Sequence, residues 1–165
     1  MMNIELLHAL PNTCIKKRII NELTKIDRNS TSLDIFVEMA DKTPIIKVTD
    51  KLYKTNNIYS FVIGEEYPFK PPKVFINDKP YMNFLKIKNV ATSEKLKLIK
   101  GYDCFCCESF VACGNKWLAQ KKLIDVVEEI RKFREDSKDI IYKMMIDKIK
   151  HKYLNQNIDL CSWLF

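Results

Sequence analysis

The 165-residue chain contains no apolar run approaching the ~20 residues needed to span a bilayer. Its first ten residues carry Glu5 and His8 and lack the basic start of a secretory leader. A membrane partner is therefore not expected. Histidine is scarce. His8 and His151 lie far in sequence from the cysteine cluster described below, so neither reads as half of a Cys–His dyad. RNP, zinc-finger and helix-turn-helix signatures are absent, as are paired CxxC knuckles. The net charge of +7 raises nucleic acid as a partner, but the lysines are spread along the chain among interleaved acids. That pattern describes a solvated lysine-rich surface and argues against nucleic-acid binding. There is no internal repeat and no linker, so residues 1–165 read as one domain. An apolar share of 47% is enough for a core and excludes global disorder.

The cysteines are the first positive feature. Cys104, Cys106, Cys107 and Cys113 crowd one segment, while Cys14 and Cys161 lie near the ends. Adjacent cysteines make poor staples, and a domain of this size needs none. The expectation is a reducing compartment, cytoplasmic or nuclear, with reactive or metal-binding thiols.

Ile15, Ile19, Leu23 and Ile26 recur at helical spacing and predict an amphipathic helix over 13–26, capped by Asn12 or Thr13. Four β-rich runs follow: Leu33–Glu38, Ile45–Val48, Ile58–Ile63 and Lys73–Ile76. Turn signals at Asp41-Lys42 and Asn56-Asn57 suit an antiparallel meander. Between the third and fourth runs, three prolines among residues 68–72 forbid helix and strand and predict a rigid surface excursion. Residues 84–101 read as an insert, a long loop or an extra hairpin. From Gln120 the pattern turns helical, with a second helical run starting near Asp136 or Ser137. The tail ends in Trp163-Leu164-Phe165 and is expected to pack back on the domain.

The string Tyr67-Pro68-Phe69-Lys70-Pro71-Pro72-Lys73-Val74, set between two strands, resembles the central signature of ubiquitin-conjugating enzymes. The first helix, with Lys17-Arg18-Ile19-Ile20-Asn21-Glu22-Leu23, is similar to that family's first helix. Trp117 resembles the Trp downstream of its active site. The likeness runs from about residue 13 to 133. The chain departs from the family in having Tyr81-Met82-Asn83 for His-Pro-Asn and Trp117-Leu118-Ala119 for Trp-Ser-Pro.

The resemblance implies an α+β fold of N-terminal helix, four-stranded antiparallel meander and C-terminal helices. It implies an enzyme that carries ubiquitin or a ubiquitin-like protein as a cysteine thioester, for transfer to lysine or a ligase. Such a thiol is a strong nucleophile and its thioester stays reactive. The family's active-site strip matches best on Cys107, with Ser109 at its polar position and Phe110-Val111 at its apolar pair. Cys106 and Cys104 are the alternatives. Asn83 matches the residue given the oxyanion role. Phe69, Lys70, Trp117, Lys16, Lys17 and Arg18 match surfaces that contact the ligase or the activating enzyme. Glu108 and Asp103 could orient an incoming lysine or be solvated. No cofactor and no metal are expected. Two rival readings are an inactive variant of the same fold that binds ubiquitin or a partner enzyme, and a zinc-stabilised binding module using the four clustered cysteines.

Overall fold

The structure is a computed structural model describing residues 13–29, 31–53, 56–86 and 90–153. Helix α1, Thr13–Asn29, leads into strands β1, Leu33–Ala40, β2, Thr43–Asp50, β3, Asn57–Val62, and β4, Lys73–Ile76. A fifth strand, β5, Lys79–Pro80, closes an antiparallel sheet of order β1-β2-β3-β4-β5. Helices α2, Tyr81–Leu85, α3, Val90–Lys100, α4, Phe105–Glu108, and α5, Leu123–Tyr153, complete the α+β architecture. None of the described helices is long and apolar enough to cross a membrane.

Alternation sets the sheet's faces. Leu33, Ile35 and Val37 of β1, Ile46 and Val48 of β2, and Tyr59 and Phe61 of β3 are buried. Phe36 and Ile58, of opposite parity, are exposed. The buried face joins Ile15, Ile19, Leu23 and Ile26 of α1 and Leu123, Val126, Val127, Ile130 and Phe133 of α5 in one core. Each large side chain buried there contributes about 1.5–3 kcal/mol.

Three expectations change. The sheet has five strands, because Asn77 and Asp78 both take positive φ (48° and 62°), as a tight type I′ hairpin turn requires, and return the chain beside β4. Residues 84–101 hold the end of α2 and all of α3 in place of a loop or hairpin; α3 packs on α5 through Leu96 and the Lys100–Asp136 and Lys100–Asp139 ion pairs. The two helical runs after Gln120 are one helix. Asp136 is buried and bound by Lys100 and by the Tyr102 hydroxyl, and Ser137 Oγ donates back to the Phe133 carbonyl at 2.7 Å. Neither residue starts a new helix. The expected docking of the tail and the Asn12 cap lie outside the described residues.

One ion pair joins the sheet to α5. Arg131 grips the fully buried Asp50 with two bonds of 2.8 Å, and the Tyr59 hydroxyl and Leu52 N–H donate to the same carboxylate. Burial works against the Asp50 charge, but these donors outweigh it and hold its pKa below the ordinary value. The stabilisation is therefore fully present above the unfolded carboxylate value of about 3.9, and is lost as pH falls through the lower folded value. Asp50→Asn should cost about 3 kcal/mol in urea denaturation at neutral pH, since it strands a partly buried cation. The gap between wild type and variant should narrow at acid pH; a gap that is constant with pH would refute this assignment.

Candidate functional site

Helix α4 is a single turn whose sequence, Phe105-Cys106-Cys107-Glu108, divides between core and solvent. Phe105 is buried against Tyr102 and Phe133, with ring centroids 6.0 and 5.1 Å away, and fastens the turn to α5. Cys106 is half-buried, and Cys107 and Glu108 are exposed. Cys104 is the N-cap in extended conformation, and its Sγ accepts the Cys107 N–H at 3.2 Å. Sulfur here does the work that a Ser or Asp oxygen usually does at a cap. Cys106 Sγ lies 3.0 Å from Cys104 Sγ, and the sulfurs of Cys104, Cys106 and Cys107 all lie within 4.8 Å of one another. Cys104, Cys106, Cys107 and Cys113 are free thiols, with Cys113 half-buried and outside the group of three.

The segment beyond the turn is held by a buried carboxylate. Glu129 of α5 accepts the Ser109 hydroxyl at 2.7 Å, the Tyr81 hydroxyl at 2.9 Å and the Phe110 N–H at 2.8 Å. Ser109 Oγ in turn accepts the Val111 and Ala112 N–H groups. One side chain of α5 thus fixes both α2 and the backbone after the cysteines. Burial pushes the Glu129 carboxyl up, although its three donors pull the other way.

The trio's electrostatics are uneven. Burial opposes ionisation of Cys104, yet bonds from the Cys106 and Cys107 thiols and backbone N–H groups bring its pKa below the ordinary thiol value. Cys106 is raised by donating to Cys104, then by burial. Cys107 is pushed up to about 12, first by its bonds to Cys104 and Cys106 and then by their charge. The three thiols titrate as a coupled group, in which the contacts favour the thiolate at Cys104 over the other two.

The remaining candidate residues lie on other elements, and two of them, Trp117 and Arg18, are turned inward and not free to meet a partner as the resemblance implied. Phe69 stands 81% exposed on the proline-rich turn, and Lys70 pairs with Glu66 at 2.7 Å. Trp117 is buried between Tyr67 and Phe110, and its Nε1 donates to the Pro68 carbonyl at 2.7 Å, so it braces the turn from beneath. On α1, Lys17 is exposed and Lys16 half-buried. Arg18 is engaged inward, with Glu22 and with the carbonyls of Ala119 and Lys121 at 3.2 and 3.0 Å. Asn83 is exposed on α2 and helps line a recess with Asn57, Ile76, Phe84, Ile130 and Arg134; no cysteine lines that recess. Asp103 and Glu108 form exposed ion pairs with Lys97 and Lys116.

Sequence reasoning passed over Glu22, Glu129 and Asp50. The signal was present: Glu22 and Glu129 each occupy a place within an apolar helical stripe, Ile15-Ile19-Glu22-Ile26 and Val126-Glu129-Phe133. An acid at such a position is buried and needs donors. Compared with protein-family models, with curated proteins and with solved structures, the chain matches none.

Removing Glu129 should release the cysteine segment. Glu129→Ala leaves three donors without an acceptor and should cost about 3 kcal/mol or more in denaturant unfolding. The sign of its pH effect is opposite to that of Asp50. With the folded pKa raised, the contribution is fully present below the ordinary Glu value and declines as pH rises through the folded value. Amide exchange of Phe110 should accelerate in Glu129→Ala; unchanged protection there would show that the segment is held by something else.

Proposed function

We propose that this chain is a divergent ubiquitin-conjugating-type protein that carries ubiquitin, or a ubiquitin-like protein, as a thioester within the cluster Cys104, Cys106 and Cys107. The observation that carries the reading is a group of reduced, solvent-accessible thiols on a turn clamped to the core by Phe105 and Glu129. The match of Tyr67 to Val74, the α+β order of elements and the exposed Phe69 are consistent with it. Cys104 is the favoured nucleophile, because its sulfur accepts a backbone N–H and a thiol contact that stabilise the thiolate. The strip match selects Cys107, whose ionisation is opposed first by its bonds to Cys104 and Cys106 and then by their charge.

In this reading the Cys104 thiolate attacks the activated carboxyl terminus presented by the activating enzyme. The carbon–sulfur bond forms, the activating enzyme's thiol leaves, and an acceptor lysine later displaces Cys104. The oxyanion role of Asn83 rests on the resemblance alone, since the recess that it lines includes no cysteine, and Phe69 with Lys70 forms the contact for a ligase.

Incubation with activating enzyme, ATP and ubiquitin should give a reductant-sensitive adduct. Cys104→Ser should convert it to a reductant-resistant ester, while Cys107→Ser should still charge. The reverse result moves the carrier to Cys107. No adduct on a folded chain removes the carrier reading. Asn83→Ala should charge normally yet discharge to free lysine ~100-fold more slowly.

Phe69→Ala should spare folding and charging and weaken ligase-dependent transfer by about tenfold or more, as loss of an exposed aromatic anchor does. A drop in its melting temperature would instead assign Phe69 to internal packing.

A further inference from the structure

The geometry of the same three thiols bears on a chemistry that does not depend on carrying an acyl group. Their sulfurs lie within 4.8 Å of one another, although Cys106 and Cys107 are adjacent in sequence. Neighbouring residues seldom reach a common centre. Here they do because the α4 turn swings Cys107 back over its own cap, and Cys104, in extended conformation, presents its sulfur to the Cys107 N–H. Zinc–sulfur bonds of about 2.3 Å in a tetrahedral site place the sulfurs about 3.8 Å apart. The group already spans that scale, and the 3.0 Å pair of Cys104 and Cys106 has to open by only about 0.8 Å to reach it.

The frame around the group is fixed. Phe105, between the ligand candidates, is buried among aromatic rings, and Ser109, just beyond them, is fully buried on Glu129. A cluster held at both ends loses little freedom on binding. Its donors are all sulfur, and soft thiolates favour zinc over calcium, magnesium or manganese. Cys107 is exposed, so the side opposite the core is open to water. The nearby carboxylates of Asp103 and Glu108 are engaged with Lys97 and Lys116.

We propose that Cys104, Cys106 and Cys107 form a three-thiolate site for one zinc ion, with its fourth position open to solvent. Binding releases the thiol protons to solvent, with no redox change. An ion held there occupies the nucleophile, so zinc and an acyl group exclude each other.

The test uses the full chain, reduced and freed of metal with a chelator, then titrated with Co2+ and back-titrated with Zn2+. Sulfur-to-cobalt charge-transfer absorption should appear, saturate at one ion per chain and disappear on adding zinc. Cys104→Ser, which keeps an oxygen at the cap, Cys106→Ser and Cys107→Ser should each weaken binding. The loss should exceed the about 10- to 100-fold that removal of an outer-shell partner costs a metal site. Cys113→Ser should leave it unchanged. The inference is overturned by absence of the absorption in the folded wild type, or by a Cys113→Ser effect as large as the others. Charging by ubiquitin, tried on the metal-free chain before any ion is added, separates the two chemistries. A chain that charges but takes up no ion overturns the zinc site alone. One that takes up a single ion and never charges supports the zinc site and removes the carrier reading.

Discussion

A single buried carboxylate, Glu22, joins the three parts on which the architecture depends. It receives the guanidinium of Arg18 in its own helix, the Tyr67 hydroxyl at 2.9 Å to each oxygen, and the N–H of Leu123 at 2.9 Å. The first bond holds α1, the second seats the proline-rich turn, and the third satisfies an N–H left unpaired at the start of α5. A charge taken out of water is tolerated only when its acceptor sites are filled in this way. The negative group also lies at the positive end of the α5 dipole. Arg18 continues inward to the carbonyls of Ala119 and Lys121, so the segment between Trp117 and α5 is fixed by the same network.

The principle recurs along α5. Asp50 reaches it from β2 through Arg131, and Glu129 reaches out from it to α2 and the cysteine segment. Apolar burial brings these elements together without specifying their rotation. Directional bonds to three carboxylates supply the rotation. The consequence for the site is that the cysteine turn, which has little core of its own beyond Phe105, takes its place from α5.

What could be read from the sequence follows the same division. The four long strands and α1 were legible because each carries a repeating apolar position, such as Leu33-Ile35-Val37 or Ile15-Ile19. Helix α3 was not, because among its described side chains Leu96 is the one fully buried large one, Ile99 is only partly buried, and much of the remaining attachment is polar: Lys95 to Asp147, and Lys100 to Asp136 and Asp139. Ion pairs between distant residues leave no periodic trace. The break expected near Asp136 rested on residues that favour caps, and their side chains are used within the helix and against α3. At the site, the crowding of cysteines was visible, but the choice among them was not. It turns on which sulfur faces the Cys107 N–H, a matter of backbone conformation that spacing does not encode.

The N-cap formed by Cys104 couples chemistry to backbone shape. Its sulfur is at once the acceptor that closes the α4 turn and the most ionisable atom of the cluster. A negatively charged sulfur accepts an N–H strongly, whereas one whose lone pairs are committed to a carbonyl carbon or a cation accepts weakly. The turn should therefore tighten or fray according to what Cys104 is bonded to, so that the covalent state of one atom is written into the local helix.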